Sequence, residues 1–263
     1  MAVLEIEQRG AAVWLWLNRP EVRNALNDEL RSALSEAFAR FAKDPGVRAL
    51  VIAGRGAAFC AGGDLGRMEA KAKLTRAKAR RDAERFAKLL YQIHTFPKPV
   101  VARVHAAAFA GGMGLVAASD LVVTSEAAEF CLPETRIGLV PAMISPYLVR
   151  AMGEQQARRY MLTGERLSAR EALRLGFAHE CVAADELDAC VEGLCGRLAA
   201  AGPLALARTK KLLALVGKAT ISPRLAAQTA AVLAEARSGA EAGEGIRSFL
   251  EKRKPDWSKK GDD

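Results

Sequence analysis

Ala58-Phe59-Cys60-Ala61-Gly62-Gly63-Asp64-Leu65 and Ala108-Phe109-Ala110-Gly111-Gly112-Met113-Gly114 are the two stretches on which the reading of this chain turns. The first follows an apolar strand pattern, Val47 to Ala53, the second follows Val100 to Val104, and each leads into a helical pattern. Glycine lets the backbone approach a ligand closely and leaves N–H groups pointing outward with no Cβ in the way. Taken singly, such turns are common and mostly just redirect the chain. Neither is a phosphate loop: the second lacks GxGxxG spacing, and neither ends in the GK[ST] of a nucleotide-binding loop.

Working outward, Val3 to Ile6 and Ala12 to Leu17 read as strands joined at Gln8-Arg9-Gly10, the second ending at Asn18-Arg19-Pro20. Asn27 is placed to cap a helix whose apolar residues Leu30, Ala33, Leu34, Ala37, Phe38 and Phe41 recur at helical spacing. A long helix, Ala70 to Thr95, carries Phe86, Leu89, Leu90 and Ile93 on one side and cations on the other, and Pro97 and Pro99 stop it. Ala110 to Gly114 reads as a tight turn opening a helix from Leu115 to Ser119, with strands at Leu121 to Thr124 and Glu129 to Cys131. After Pro141 the pattern is helical to the end, punctuated by Gly153, Gly164, Gly176 and Gly202-Pro203. The result is an α/β chain with a strand-rich core over residues 1–200 and a helical region over 201–263, with no linker between them. Ala205 to Leu215 and Leu225 to Ala236 are more apolar than one buried face requires, which points to a second copy of the chain as their cover.

With 263 residues, 51% hydrophobic and 26% charged, the chain can bury a substantial core. There is no basic-plus-apolar leader and no run of about 18 apolar residues, so a cytoplasmic protein that does not span a membrane is expected. The five cysteines are odd in number and form no CxxC pair, and His94, His105 and His179 lack metal-ligand spacing. Reduced cysteines and no metal site are therefore expected. A net charge of +9 favours an anionic partner without choosing among nucleic acid, an acidic membrane and a phosphate-bearing substrate.

The two glycine turns, taken with other stretches along nearly the whole chain, resemble the enoyl-CoA hydratase/isomerase (crotonase) family. The stretches are Leu17-Asn18-Arg19-Pro20, Asn24-Ala25-Leu26, Lys98-Pro99-Val100-Val101-Ala102, Asp120, Phe130 with Pro133-Glu134, Gly138, Pro141, Leu162-Thr163-Gly164 and Ala169 to Gly176. The resemblance implies the crotonase spiral of strand-strand-helix repeats, with the C-terminal helices building a homotrimer or homohexamer. It implies that the backbone N–H groups of Gly63 and Gly111 hold a thioester oxygen, and that Glu134 is the catalytic acid and base. Arg23, Ala25, Ala61, Gly63, Asp64, Leu65, Gly111 and Gly114 match positions that contact the acyl-CoA substrate. No separate cofactor is implied, because coenzyme A arrives with the substrate. Phe249 and Lys252 lie where family members often contact its adenine end.

One departure is informative. Hydratases of this family typically carry a second glutamate at the position of Gly114, so a single carboxyl group, Glu134, must serve as base and acid. Hydration, double-bond isomerisation and a related enolate reaction all survive, and so does a non-catalytic role. The run Phe130 to Tyr147, with Ala106 to Leu115, resembles the bacterial branch acting on methylglutaconyl-CoA and related branched thioesters, which also tends to have glycine at 114. Hydration is therefore favoured. The acyl pocket is expected to draw on Met68, Met113, Leu139 and Met143. The cations Lys71, Lys73, Arg76, Lys78, Arg80, Arg81, Arg85 and Lys88 read first as a solvated helix face and second as a means of steering coenzyme A. Nucleic-acid binding is disfavoured, since no RNA module or aromatic series accompanies them.

Overall fold

The computed structural model describes residues 2–64, 75–217 and 219–261. Its strands are Leu4–Arg9 (β1), Ala12–Leu17 (β2), Ala49–Gly54 (β3), Val100–Val104 (β4), Ala108–Phe109 (β5), Leu121–Ser125 (β6), Glu129–Cys131 (β7), Arg166–Ser168 (β8) and Glu180–Val182 (β9). Its helices are Asp28–Ala42 (α1), Arg76–His94 (α2), Gly111–Ala118 (α3), Ser145–Thr163 (α4), Ala169–Arg174 (α5), Leu187–Ala200 (α6), Pro203–Val216 (α7), Pro223–Arg237 (α8) and Ala240–Leu250 (α9).

β2 is buried at every position because both of its faces are covered. Val13, Leu15 and Leu17 join Leu30, Leu34 and Phe38 of α1 in the main core. Trp14 and Trp16 point the other way, stacked on each other, into a smaller cluster closed by Leu187, Val191 and Cys195 of α6. Each such side chain contributes about 1.5–3 kcal/mol by leaving water, so the sheet is fixed from two sides. Its order is β1-β2-β3-β4-β6-β9, antiparallel at β1–β2 and parallel thereafter. A second sheet, β5-β7-β8, pairs β5 with β7 in parallel and β7 with β8 antiparallel. Asn27 caps α1 as expected, its Oδ1 accepting from Leu30 N at 2.8 Å.

Two expectations are corrected. The chain after Pro141 is not wholly helical: β8 and β9 are strands of three residues, too short to show a period, and they form because β7 and β6 offer them open edges. The second helix-opening turn is shorter than expected, since α3 begins at Gly111 rather than Leu115. Three of the first four residues of α3 are glycine, so no apolar period marks its start.

In α7 and α8 no residue is buried, and in α9 only Ser248 is. These helices are tied to the rest by polar links. Lys210 Nζ donates to Asp120 Oδ2 at 2.5 Å, Trp257 Nε1 donates to Ala200 O at 3.1 Å, and Arg48 donates to the carbonyls of Ala201 and Trp257. Among the described residues no single helix is long and apolar enough to cross a membrane.

Candidate functional site

Parallel pairing gathers the predicted residues at one place. Cys60 bridges Ala108, and Ala108 pairs with Phe130, so three segments run side by side in the same direction. Cys60 N donates to Ala107 O at 3.1 Å, Phe109 N to Cys60 O at 2.9 Å and Ala110 N to Cys131 O at 2.8 Å. Gly63, Gly111 and Glu134 follow a few residues beyond these paired positions, at the same end of the three segments.

The two glycine turns meet back to back. Gly62 has φ +92°, and a Cβ there would come 2.7 Å from Ala110 Cβ and 2.9 Å from Phe109 O. A Cβ on Gly112 would come 2.4 Å from Cys60 O. Any larger residue at either position pushes the turns apart. Ala110 takes φ 47° without being glycine, a strained conformation that its hydrogen bond to Cys131 helps to hold. Among the described residues, neither the Gly63 nor the Gly111 amide has a hydrogen-bond acceptor. Gly111 also opens α3, so the positive end of the helix adds to the pull of its amide on an anion.

Glu134 sits in the 3-10 turn Pro133–Ile137, entered through Pro133 and closed by Gly138 at φ 73°. Leu139 N donates back to Glu134 O at 2.9 Å, which fixes the turn. Its Oε2 is buried with no hydrogen-bond partner. Burial raises the carboxyl above the ordinary carboxylate range, against a smaller lowering by its own backbone N–H. Arg136 does not neutralise it: that side chain is exposed and donates to Thr163 O at 3.4 Å. A carboxyl group that gives up its proton reluctantly can both accept and return a proton, and amides without acceptors can hold a developing oxyanion.

The surroundings of position 114 are hydrocarbon. A Cβ on Gly114 would lie 2.2 Å from Ile144 Cγ2, so Ile144 fills the space that a side chain at 114 would need.

Of the predicted substrate-contact residues, Arg23, Ala25, Ala61 and Gly63 are brought side by side. Arg23 and Asn24 are both left-handed, at φ 52° and 57°, and the turn they make lays residues 23–26 against 61–63. Ala61 N donates to Arg23 O at 2.9 Å, and Leu26 N to Gly62 O at 2.7 Å. Ala25 is buried, while Arg23 is exposed with no side-chain partner among the described residues. Asp64 faces Arg19 at 3.3 Å. Leu65, Met68, Lys71 and Lys73 lie outside the described residues. Met113 is buried in the core, Met143 is half-buried and Leu139 is exposed. Arg76, Lys78, Arg80, Arg81, Arg85 and Lys88 are all exposed, Arg80 pairing with Glu84 at 2.7 Å; Phe249 and Lys252 are exposed too.

Two supporting residues had no role in the sequence reading. Asn24, fully buried, donates to the carbonyls of Arg55, Ala58 and Phe59 at 2.8, 2.9 and 3.2 Å and accepts from Arg19 N at 2.8 Å. It stitches the loop before the first glycine turn to the Arg23 turn. Arg19 adds a hydrogen bond to Ala25 O. Both stood inside the quoted family stretches, but the partners that tie them to the first glycine turn, the carbonyls of Arg55, Ala58 and Phe59 and the Asp64 carboxylate, are 31 to 45 residues away in sequence.

The sequence model described as Enoyl-CoA hydratase/isomerase matches residues 7–260. A Thermus thermophilus protein provisionally named enoyl-CoA hydratase is 40% identical over 255 residues, covering 96% of this chain and 99% of its own. A Proteus mirabilis carnitinyl-CoA dehydratase is 33% identical over 267 residues, covering 97% of each. The crystal structure of an enoyl-CoA hydratase from Shewanella pealeana superposes with a TM-score of 0.93 at 35% identity, covering 97% of this chain and 96% of that one. Pseudomonas aeruginosa AtuE superposes at 0.92 and 39% identity, covering 97% and 99%. With the family's sequence pattern over nearly its full length and the crotonase fold beneath it, the chain belongs to the enoyl-CoA hydratase/isomerase family.

Proposed function

We propose that this protein adds water across the 2,3 double bond of an acyl-CoA thioester, using Glu134 as its only catalytic carboxylate. The observation that carries the reading is the buried, unpartnered Glu134 Oε2, a few residues beyond the same parallel pairing that leads to two amides lacking acceptors. The thioester oxygen rests on the N–H groups of Gly63 and Gly111. Glu134 takes a proton from water as the water oxygen bonds to C3, and the double-bond electrons move through C2 onto the thioester oxygen. Glu134 then returns that proton to C2 on the same face, and the enolate collapses to the hydroxyacyl product. Each amide aimed at the enolate oxygen is worth about 2.7–4 kcal/mol at the transition state. Coenzyme A arrives with the substrate and no other group is consumed. A branched, methylglutaconyl-like acyl group fits the Phe130 to Tyr147 run and the glycine at 114.

The same single carboxylate suits isomerisation, in which one proton moves from C2 to C4 of a 3-enoyl thioester. Purified protein offered crotonyl-CoA, 3-methylglutaconyl-CoA and 3-hexenoyl-CoA in parallel separates the two. Loss of the conjugated enoyl-thioester absorbance with either of the first two is expected, and the better substrate names the acyl class. A gain of absorbance with 3-hexenoyl-CoA alone makes the protein an isomerase, and no change with all three overturns the reading.

A further inference from the structure

The two glycine amides of the site are backed differently. Gly111 has α3 behind it, whereas Gly63 stands at the end of a chain of hydrogen bonds that begins on a largely buried cation. Arg19 Nη1 donates to Ala25 O at 2.5 Å. Ala25 O and Leu26 N belong to one peptide group, and Leu26 N donates to Gly62 O at 2.7 Å. Gly62 O and Gly63 N belong to the next. Both peptide groups are trans, so in each the C=O and the N–H point in opposite directions. The bond accepted by Gly62 O therefore turns the Gly63 N–H away from the Leu26 segment, and Gly63 is exposed where Gly62 is buried. A Cβ built on Gly62 would lie 3.3 Å from Gly111 N, so the two amides are neighbours.

Arg19 is fixed at both ends. Its N–H donates to Asn24 Oδ1 and its O accepts from Asn24 N, each at 2.8 Å, while its guanidinium meets Asp64 Oδ2 at 3.3 Å. Only 14% of the Arg19 side chain and 18% of that of Asp64 is exposed, so solvent and salt screen the charge less than at the surface. We propose that Arg19 is a positioning residue for the reaction: through the Ala25–Leu26 and Gly62–Gly63 peptide groups it aims the Gly63 N–H and strengthens it as a donor to the thioester oxygen. The proposal rests on the thioester reading above, which puts that oxygen on the Gly63 amide. A carbonyl that accepts a hydrogen bond makes the N–H of its own peptide group a better donor, so bonds joined head to tail reinforce one another, and a cation at the head pulls in the same sense. An enolate oxygen gains more from this than the uncharged carbonyl does, because bonds to a charged acceptor are the stronger ones. Loss of the Arg19 charge should therefore lower kcat more than it weakens binding. Asp64 holds the guanidinium in place and offsets part of its charge.

The test reads the carbonyl itself. Butyryl-CoA labelled with heavy carbon at its thioester carbonyl binds without being hydrated, and isotope-edited infrared spectra give the downshift of its C=O stretch from water to protein, which measures the pull of the amides. Arg19→Gln keeps a donor for Ala25 O and removes the charge. Its downshift should shrink, and kcat for the better conjugated substrate should fall about tenfold or more with KM changed by less than about threefold. Arg19→Lys, which keeps the charge, should lie between the wild type and Arg19→Gln in both readouts. An unchanged downshift in Arg19→Gln overturns the proposal, even if kcat falls, since Arg19 would then be only a structural brace. If Arg19→Gln does not fold, Asp64→Asn decides: its guanidinium acts unopposed, so the downshift should match or exceed that of the wild type, and a smaller one overturns the relay. Wild-type protein that shows the downshift but hydrates nothing overturns the hydratase reading alone and leaves the Arg19→Gln downshift to decide this one. Wild-type protein that binds butyryl-CoA without a downshift, or does not bind it, overturns both.

Discussion

Glu134 is the residue on which the proposed chemistry depends, and its burial fixes the sign of two expectations. Glu134→Gln keeps the shape of the turn and removes the proton carrier, so hydration should fall at least ~10²-fold while butyryl-CoA binding persists. Unchanged turnover would exclude this mechanism. Because burial raises the carboxyl, the acid limb of kcat/KM should lie above the ordinary carboxylate value of 4.5, the rate falling as pH drops and the carboxylate protonates. The same shift works on stability. A carboxyl harder to ionise in the folded chain than in the unfolded one contributes stability below its unfolded pKa, and that contribution is lost as pH rises through the folded value. Glu134→Gln should therefore match the wild type in melting temperature near about pH 4 and exceed it near about pH 8. Asn24 tests the scaffold instead. Asn24→Ala leaves three carbonyls without their donor and should cost about 2–4 kcal/mol in urea denaturation. Glu134 was legible because it follows proline in a family stretch. The role of Asn24 was not, because a hydrogen-bond hub is defined by partners that only folding brings near.

At the scale of elements, the decisive joints are where short segments meet. The pairing of Cys60 with Ala108 and of Ala108 with Phe130 carries Gly63, Gly111 and Glu134 to one end; Glu129 to Cys131 was legible as a strand, but the segments around Cys60 and Ala108 are too short to advertise themselves. The glycine-led start of α3 was read as a turn for the same reason: a helix opening without side chains carries no period. The joint between α7 and the core is electrostatic. Lys210 Nζ, largely buried, donates to Asp120 Oδ2 and to Lys98 O at 2.9 Å, and Asp120 also accepts from Val100 N at 2.7 Å. Burial raises the Asp120 carboxyl and lowers the Lys210 amine, so each depends on the other to stay charged. Lys210→Met strands a buried carboxylate and should cost about 3 kcal/mol, while Asp120→Asn with Lys210→Met should recover much of that loss. A double mutant no more stable than the single would mean that the pair's hydrogen bonds, not its charges, hold α7.

At the scale of the whole molecule, α7, α8 and α9 bury almost nothing within the chain, yet Leu213, Leu233 and Phe249 are 62%, 67% and 83% exposed. We propose that copies of the chain cover these faces in a trimer or hexamer, as their apolar excess implies. Sedimentation should give a trimeric or hexameric mass, and Leu213→Asp with Leu233→Asp should shift it toward the monomer. A wild-type monomer would leave these faces for some other partner. The division into a core over 1–200 and a helical region over 201–263 belongs to the same proposal, because the helices then owe their burial to a neighbour.

By itself the sequence determined the family, the fold and the two glycine turns, and it singled out Glu134 as the candidate carboxylate. These are local matters: a period of apolar residues, a glycine where no Cβ fits, a proline before an acid, and each is written in neighbouring residues. Tertiary structure alone decided that Gly62 and Ala110 press back to back, that Asn24 binds three distant carbonyls and that Ile144 occupies the space above Gly114. Those facts depend on residues far apart in the chain, and only close packing in the folded molecule brings them together.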